Sequence, residues 1–169
     1  IAASHALEYL RKADVIPDVI LHVDPNVEIQ RYLTVFELEK VELLILAATT
    51  APLLFSLPTK HKSWIYANAF FDHWLMDLLN VENYTLYGSS VSVAALKLAH
   101  NWGCNKIVLV GQDLSFGKGK YYAGDIFAPD GVTEGFQDAE ESNQYKLPGY
   151  YGGEVLTKND YRVYPGQFQ

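Results

Sequence analysis

Short apolar runs without polar alternation recur along the chain and predict strands that are covered on both faces. Three of them span Val19–Val23, Glu42–Ala47 and Lys106–Val110. Each is too short for a helix and rich in aliphatic side chains, as in a strand inside a parallel sheet. Segments with helical spacing separate these runs. The alternation of strands and helices predicts an α/β fold, a three-layer sandwich with a mostly parallel sheet.

The longest amphipathic helix is predicted directly before the third apolar run. Ser89 or Ser90 suits its N-cap, because a serine oxygen can accept from the free N–H groups of the first turn. Gly103 suits its end, since glycine readily adopts the left-handed conformation. The predicted buried face consists of Val91, Ala94, Ala95, Leu98 and Trp102.

The rest of the first 80 residues follows the same alternation. Pro52 is expected in the first turn of a short helix. The other predicted elements are a strand ending at Ala3, a helix that Ser4 caps and that runs to Lys12, a helix from Asn26 to about Phe36, a strand Ser63–Tyr66 and a helix Phe70–Leu79.

The chain becomes glycine-rich and polar after Asp125, and its periodicity is lost there. We predict a lid-like insertion loop over residues 126–157, with Glu154–Thr157 as a small strand near its end. The whole chain, residues 1–169, has the length of a single domain. Because the first residue is Ile1 and already resembles part of a strand, we expect an excerpt of a larger protein.

The charge and composition of the chain argue against some classes of binding partner. The formal net charge of −7 argues against a nucleic-acid or anionic-membrane surface. No apolar run approaches the roughly 20 residues that a membrane helix needs. The lone cysteine, Cys104, excludes an internal disulfide and fits a reducing compartment. We expect this cysteine to be a small buried hydrophobe.

Polar residues at predicted strand ends and helix starts are the candidates for chemistry. The turn Gly88-Ser89-Ser90 could cradle a phosphate, although, taken alone, its serines are better explained as an ordinary N-cap. Asp24 and Asp113 close two strands, where a carboxylate can accept from ribose hydroxyls, bind a cation or act as a base. Hydrogen bonding to the next loop is the alternative. His22 and Asp24 share a strand face without a suitably spaced third ligand, so we predict no zinc site.

A glycine-rich loop past Asp113 supplies further candidates. Lys118 and Lys120 could neutralise a diphosphate or a sugar carboxylate, and Tyr121 or Tyr122 could donate to a departing phosphate. Ordinary solvated side chains are the alternative.

Several segments of the chain resemble the central domain of the Maf (motility-associated factor) flagellin glycosyltransferases, in the MptE-like group. They are IAASHALEYL, IPDVILHVDP, YGSSVSVAALKLAHNWGCNKIVLVGQDLSF, KYYAGD and LPGYYGGEVLT. The resemblance implies a single Rossmann-like domain. It also implies cytoplasmic transfer of a nonulosonic acid, pseudaminic or legionaminic, from a CMP-sugar to Ser or Thr hydroxyls of flagellin.

A more distant similarity links the chain to bacterial CMP-sialic acid sialyltransferases and implies the site. By that similarity Tyr122 and Asp113 are catalytic, with Tyr122 assisting the leaving phosphate. The chain departs from that pattern at Ser90 and Ser115, which replace a glycine and a tyrosine, and the expected histidine beyond residue 126 has no counterpart. The similarity implies nucleotide contacts for Ser4, Asp24, Ser89 and Ser90. Together with residues of the same turn, strand end and loop, the predicted substrate-binding residues are Ser4, Asp24, Gly88, Ser89, Ser90, Gln112 and Lys120. The general base stays open, with Glu134, Asp138 and Glu140 as candidates.

For the transferase we expect no cofactor, and the CMP-sugar is its donor substrate. Two alternative functions remain open. The MptE-like group also contains 6-hydroxymethylpterin diphosphokinases, which would need ATP and Mg²⁺ held by carboxylates such as Asp24 and Asp113. A non-catalytic module that binds a nucleotide sugar or flagellin would fit the missing histidine.

Overall fold

The structure is a computed structural model that describes residues 1–25, 31–34, 36–66, 70–80, 90–112, 114–115, 144–159 and 161. The described strands are β1 (Ala2–Ala3), β2 (Val19–His22), β3 (Leu43–Ala47), β4 (His61–Ile65), β5 (Gln144–Pro148) and β6 (Glu154–Lys158). The described α-helices are α1 (Leu7–Lys12), α2 (Arg31–Thr34), α3 (Phe70–Leu79) and α4 (Val91–Asn101). Short 3₁₀ turns span Ser4–Ala6, Leu38–Lys40 and Pro52–Ser56.

The chain divides into two compact units, Ile1–Ile107 and Val108–Gln169. Strands β1 to β4 and helices α1 to α4 belong to the first unit, and strands β5 and β6 belong to the second. This division does not test the prediction that residues 1–169 form one domain, which stays a prediction.

The first unit is built on a parallel sheet in the order β1-β2-β3-β4. The register is continuous, with Ala3 opposite Leu21, Leu21 opposite Ile45, and Ile45 opposite Ser63. Because all four strands run the same way, their carboxyl ends meet at one edge of the sheet. The α/β class and the parallel sheet are therefore confirmed.

Helices cover both faces of this sheet. Successive strand residues point to opposite faces, and Leu44 therefore packs in one core cluster while Ile45 packs in another. Leu7 of α1 and Leu33 of α2 complete the first cluster, and Ala94 of α4 belongs to the second. These are the three layers that the sequence predicts.

Helix α4 begins and ends as its sequence indicates. The Ser90 side chain accepts from the backbone N–H of Val93, which makes Ser90 the N-cap. Gly103 has φ +81°, and the N–H groups of Gly103 and Cys104 donate to the carbonyls of His100 and Ala99. That pair of bonds is a Schellman motif. The predicted face packs on the sheet except for Trp102, which is half exposed.

The prediction of a buried strand over Lys106–Val110 is wrong. These residues form no strand, and Val108 and Val110 are 84% and 85% exposed. Aliphatic composition favours a strand only where a neighbouring strand supplies hydrogen bonds and packing, and no described strand pairs with this segment. Cys104 is also exposed rather than buried, because it lies in the turn that ends α4.

The second unit contains an antiparallel hairpin of β5 and β6. Glu154–Thr157 was predicted as a strand, and β6 confirms it with one further residue. Strand β5 lies within the predicted 126–157 loop and was not predicted. Residues 126–143 lie outside the described part, and the lid role stays a prediction. The Thr157 hydroxyl donates to the carbonyl of Leu114 at 2.7 Å.

Candidate functional site

The polar side chains at the carboxyl ends of β1 and β2 form the candidate site. The last residue pair between β1 and β2 is Ala3 with Leu21, so Ser4 and His22 come next along the chain at this edge. A hydrogen bond of 2.9 Å joins Ser4 Oγ and His22 Nδ1, and both side chains are buried. Asp24 follows two residues after His22 and is part-buried.

The predicted role of Ser4 as a helix cap is wrong. Ser4 is the first residue of a 3₁₀ turn, and no side-chain hydrogen bond caps either this turn or α1. A buried ring nitrogen without a hydrogen-bond partner is costly. The Ser4 hydroxyl therefore bonds to His22 across the sheet rather than to its own helix.

His22 carries a buried nitrogen that the described protein does not satisfy. Its Nε2 has no hydrogen-bond partner and is inaccessible to solvent. Burial lowers the pKa of His22 below its ordinary value of 6.5, while the charge and backbone of Asp24 oppose the shift. The ring is thus neutral at pH 7 and carries a single N–H.

His5 is a second imidazole at the same edge, and the sequence analysis missed it. Burial lowers its pKa, as does the nearby positive charge that His22 can carry, and Asp24 raises it in part. His5, His22 and Asp24 therefore interact electrostatically. A signal for His5 was present, because it follows the end of β1 as Asp24 follows the end of β2.

The other predicted site residues divide into three groups. Ser90 is the N-cap of α4, as the simpler alternative held, and its hydroxyl already accepts from Val93. Gln112 is part-buried in the second unit. Gly88, Ser89, Asp113, Lys120 and Tyr122 lie outside the described residues, together with Lys118 and Tyr121. The structure brings Ser4 and Asp24 to one edge, and the binding roles of all these residues stay predictions.

Among the described residues, no group of three or more His, Cys, Asp or Glu side chains is arranged to hold a metal ion. No described helix is both long enough and apolar enough to cross a bilayer.

A parallel sheet covered by helices on both faces, with polar groups at its carboxyl edge, defines a Rossmann-like α/β protein of the kind that binds ligands there. The family model described as "6-hydroxymethylpterin diphosphokinase MptE-like" matches residues 1–119. The chain therefore belongs to the MptE-like family.

A solved structure shares this fold. It is the MAf glycosyltransferase from Magnetospirillum magneticum AMB-1, with a TM-score of 0.67 and 18% sequence identity. The match covers 98% of this chain and 24% of that one, so the chain spans about a quarter of the solved protein. No curated protein matches the chain.

Proposed function

We propose that the chain is part of a glycosyltransferase that moves a nonulosonic acid, of the pseudaminic or legionaminic type, from a CMP-sugar to Ser or Thr hydroxyls of flagellin. The reaction would take place in the cytoplasm. The observation that carries the proposal is the match of 98% of the chain to the fold of a MAf glycosyltransferase. The polar edge of β1 and β2 supports it, because ligands of open α/β sheets bind at this edge.

Asp24 is proposed to hold the ribose of CMP. It lies past the carboxyl end of β2, where an Asp carboxylate can accept hydrogen bonds from ribose hydroxyls. Ser89 and Ser90 are proposed to bind the phosphate at the start of α4, with Gly88 allowing a close approach. Gln112 and Lys120 complete the proposed binding set.

Departure of CMP leaves positive charge on the sugar, so catalysis requires stabilisation of the leaving phosphate and orientation of the acceptor hydroxyl. Tyr122 is proposed to donate to the phosphate, and Asp113 to act beside it. The donor sugar is the only cofactor-like molecule that this reaction needs.

Titration calorimetry of the full-length protein with CMP, CDP and GDP tests the proposal. We expect a preference for the cytidine nucleotides, which Asp24→Ala weakens. Asp18→Ala is a matched control, because Asp18 is exposed before the opposite end of β2, and its backbone carbonyl, which the substitution keeps, accepts from the N–H of Leu43. Equal binding of GDP, or unchanged CMP binding in Asp24→Ala, would contradict the assignment.

A second candidate is a 6-hydroxymethylpterin diphosphokinase, which the description of the family model over residues 1–119 favours. Its reaction would require ATP and Mg²⁺, with Asp24 and Asp113 as the carboxylates nearest the metal. Mg²⁺-dependent release of AMP from ATP, only in the presence of the pterin, would support it. Binding of a CMP-sugar without any turnover would instead indicate a non-catalytic module.

A further inference from the structure

Both candidate reactions require a base. In each, an acceptor hydroxyl becomes the new ester or glycosidic oxygen and must lose its proton. The candidates that the sequence offers, Glu134, Asp138 and Glu140, lie outside the described residues. The described edge of β1 and β2 contains two imidazoles, which are the side chains that most often perform this step.

We propose that His5 is the general base for the acceptor hydroxyl, and that the buried Ser4–His22 hydrogen bond positions it. The inference rests on the proposed function, and it holds for either candidate reaction.

Accessibility distinguishes the two imidazoles. His22 is 1% exposed and its Nε2 is inaccessible, so no substrate hydroxyl can reach that ring without rearrangement. His5 is part-exposed at the same edge. Of the two rings, His5 is the one that a bound acceptor can touch.

The Ser4–His22 bond fixes the backbone that carries His5. Ser4 directly precedes His5, and both lie in the 3₁₀ turn Ser4–Ala6. The bond of 2.9 Å ties the start of this turn to the last residue of β2. His5 is thereby held beside the strand end that leads to Asp24.

The charges around His5 suit a base. Among the described residues, the groups that shift its pKa are His22 and Asp24, together with burial. Burial keeps the ring neutral at pH 7, which a base requires before the reaction. The Asp24 carboxylate favours the imidazolium that forms after proton transfer, as an aspartate does for a catalytic histidine.

In the transferase reaction, the acceptor O–H gives its proton to the imidazole of His5, and the acceptor oxygen forms the bond to the anomeric carbon. The bond from that carbon to the phosphate oxygen breaks, and its electron pair leaves with CMP. In the diphosphokinase reaction the pterin hydroxymethyl oxygen instead bonds to the β-phosphorus of ATP, and AMP leaves. His5 then releases its proton to solvent.

The test compares His5→Gln with the wild-type full-length protein, and His100→Gln serves as control. His100 is exposed at the end of α4. We expect His5→Gln to lower kcat about 10²- to 10⁴-fold, with unchanged CMP affinity and loss of the acidic limb of the pH profile. His100→Gln should retain activity. Ser4→Ala should lower kcat less and shift that limb, because His5 remains but is less well held.

Two results would overturn the assignment of His5: an active His5→Gln protein, or a parallel loss of CMP binding and turnover. In both cases the active wild type leaves the proposed function intact. A wild type that is inactive with both substrate pairs overturns the proposed function, and the role of His5 with it.

A measurement on the wild type covers the case in which His5→Gln does not fold. We expect the NMR titration of His5 to have a midpoint below the ordinary histidine pKa of 6.5, and to change when CMP binds. A midpoint at or above 6.5 would overturn the proposal.

Discussion

Strand β3 and the segment Lys106–Val110 are both short, mainly aliphatic runs, but they lie in opposite environments. Leu44 and Leu46 of β3 are fully buried, whereas Val108 and Val110 are mostly exposed. β3 lies between β2 and β4 and is hydrogen-bonded on both sides. Lys106–Val110 pairs with no described strand. An apolar run therefore becomes a buried strand only where neighbouring strands and two covering layers are available.

Truncation of one leucine in each region should give the largest contrast. Leu44→Ala removes a side chain that is enclosed on all sides, and we expect a loss of about 2–5 kcal/mol in the free energy of unfolding. Leu109→Ala, in the half-exposed segment, should cost no more than about 0.5 kcal/mol. Urea unfolding measures both. A large loss in Leu109→Ala would mean that Lys106–Val110 is buried in solution and that the contrast does not exist.

The sequence predicts those parts of the fold in which local pattern and tertiary packing agree. The helix Phe70–Leu79 has the predicted bounds, and β2 and β3 differ from prediction by one residue at one end. Strand β4 begins at His61, two residues before its predicted start. The prediction missed this start because the first four residues of β4 are exposed and carry no burial pattern. Strand β5 is missed for a similar reason, since its described side chains are not buried.

The candidate site was only partly predictable. Asp24 stands out because it follows an apolar run, and Ser4 was implied by resemblance. The bond between Ser4 and His22 depends on the register of two strands that lie 18 residues apart, and no local pattern encodes that register. His5 follows the end of β1 in the sequence, but its significance depends on His22 and Asp24, which the pairing of β1 with β2 brings to the same edge.

The two histidines at the carboxyl edge of β1 and β2 should make the stability of the protein depend on pH. Burial lowers the pKa values of His5 and His22, so the unfolded chain binds protons more readily than the folded one. Stability is therefore fully present above the unfolded pKa near 6.5 and decreases as the pH falls below it. Thermal unfolding between about pH 7 and pH 5 should show a falling Tm.

Substitution of single histidines shows which residue causes the fall of Tm at low pH. His22→Asn should flatten the pH dependence, because it removes a buried group that must become charged. His100→Gln is the control and should leave it unchanged, because His100 is exposed in the last turn of α4. A Tm that is constant over this range would show that water reaches both rings, and that the sheet edge is less buried than the structure has it.

Helix α4 packs on the sheet and ends just before the exposed segment Lys106–Val110. Removal of its N-cap should have a small effect on the free energy of unfolding. Ser90→Ala removes the side chain that accepts from the N–H of Val93, and we expect a loss of about 1 kcal/mol. Ser90→Asp should keep the stability, because aspartate is an equally good N-cap. Hydrogen exchange should place the Ser90→Ala effect in α4, with no change in Lys106–Val110. An altered exchange rate in that segment would show that the two regions unfold together.

The same pair of variants tests the phosphate role of Ser90. The negative charge of Ser90→Asp should weaken CMP binding only if the phosphate lies at this helix start.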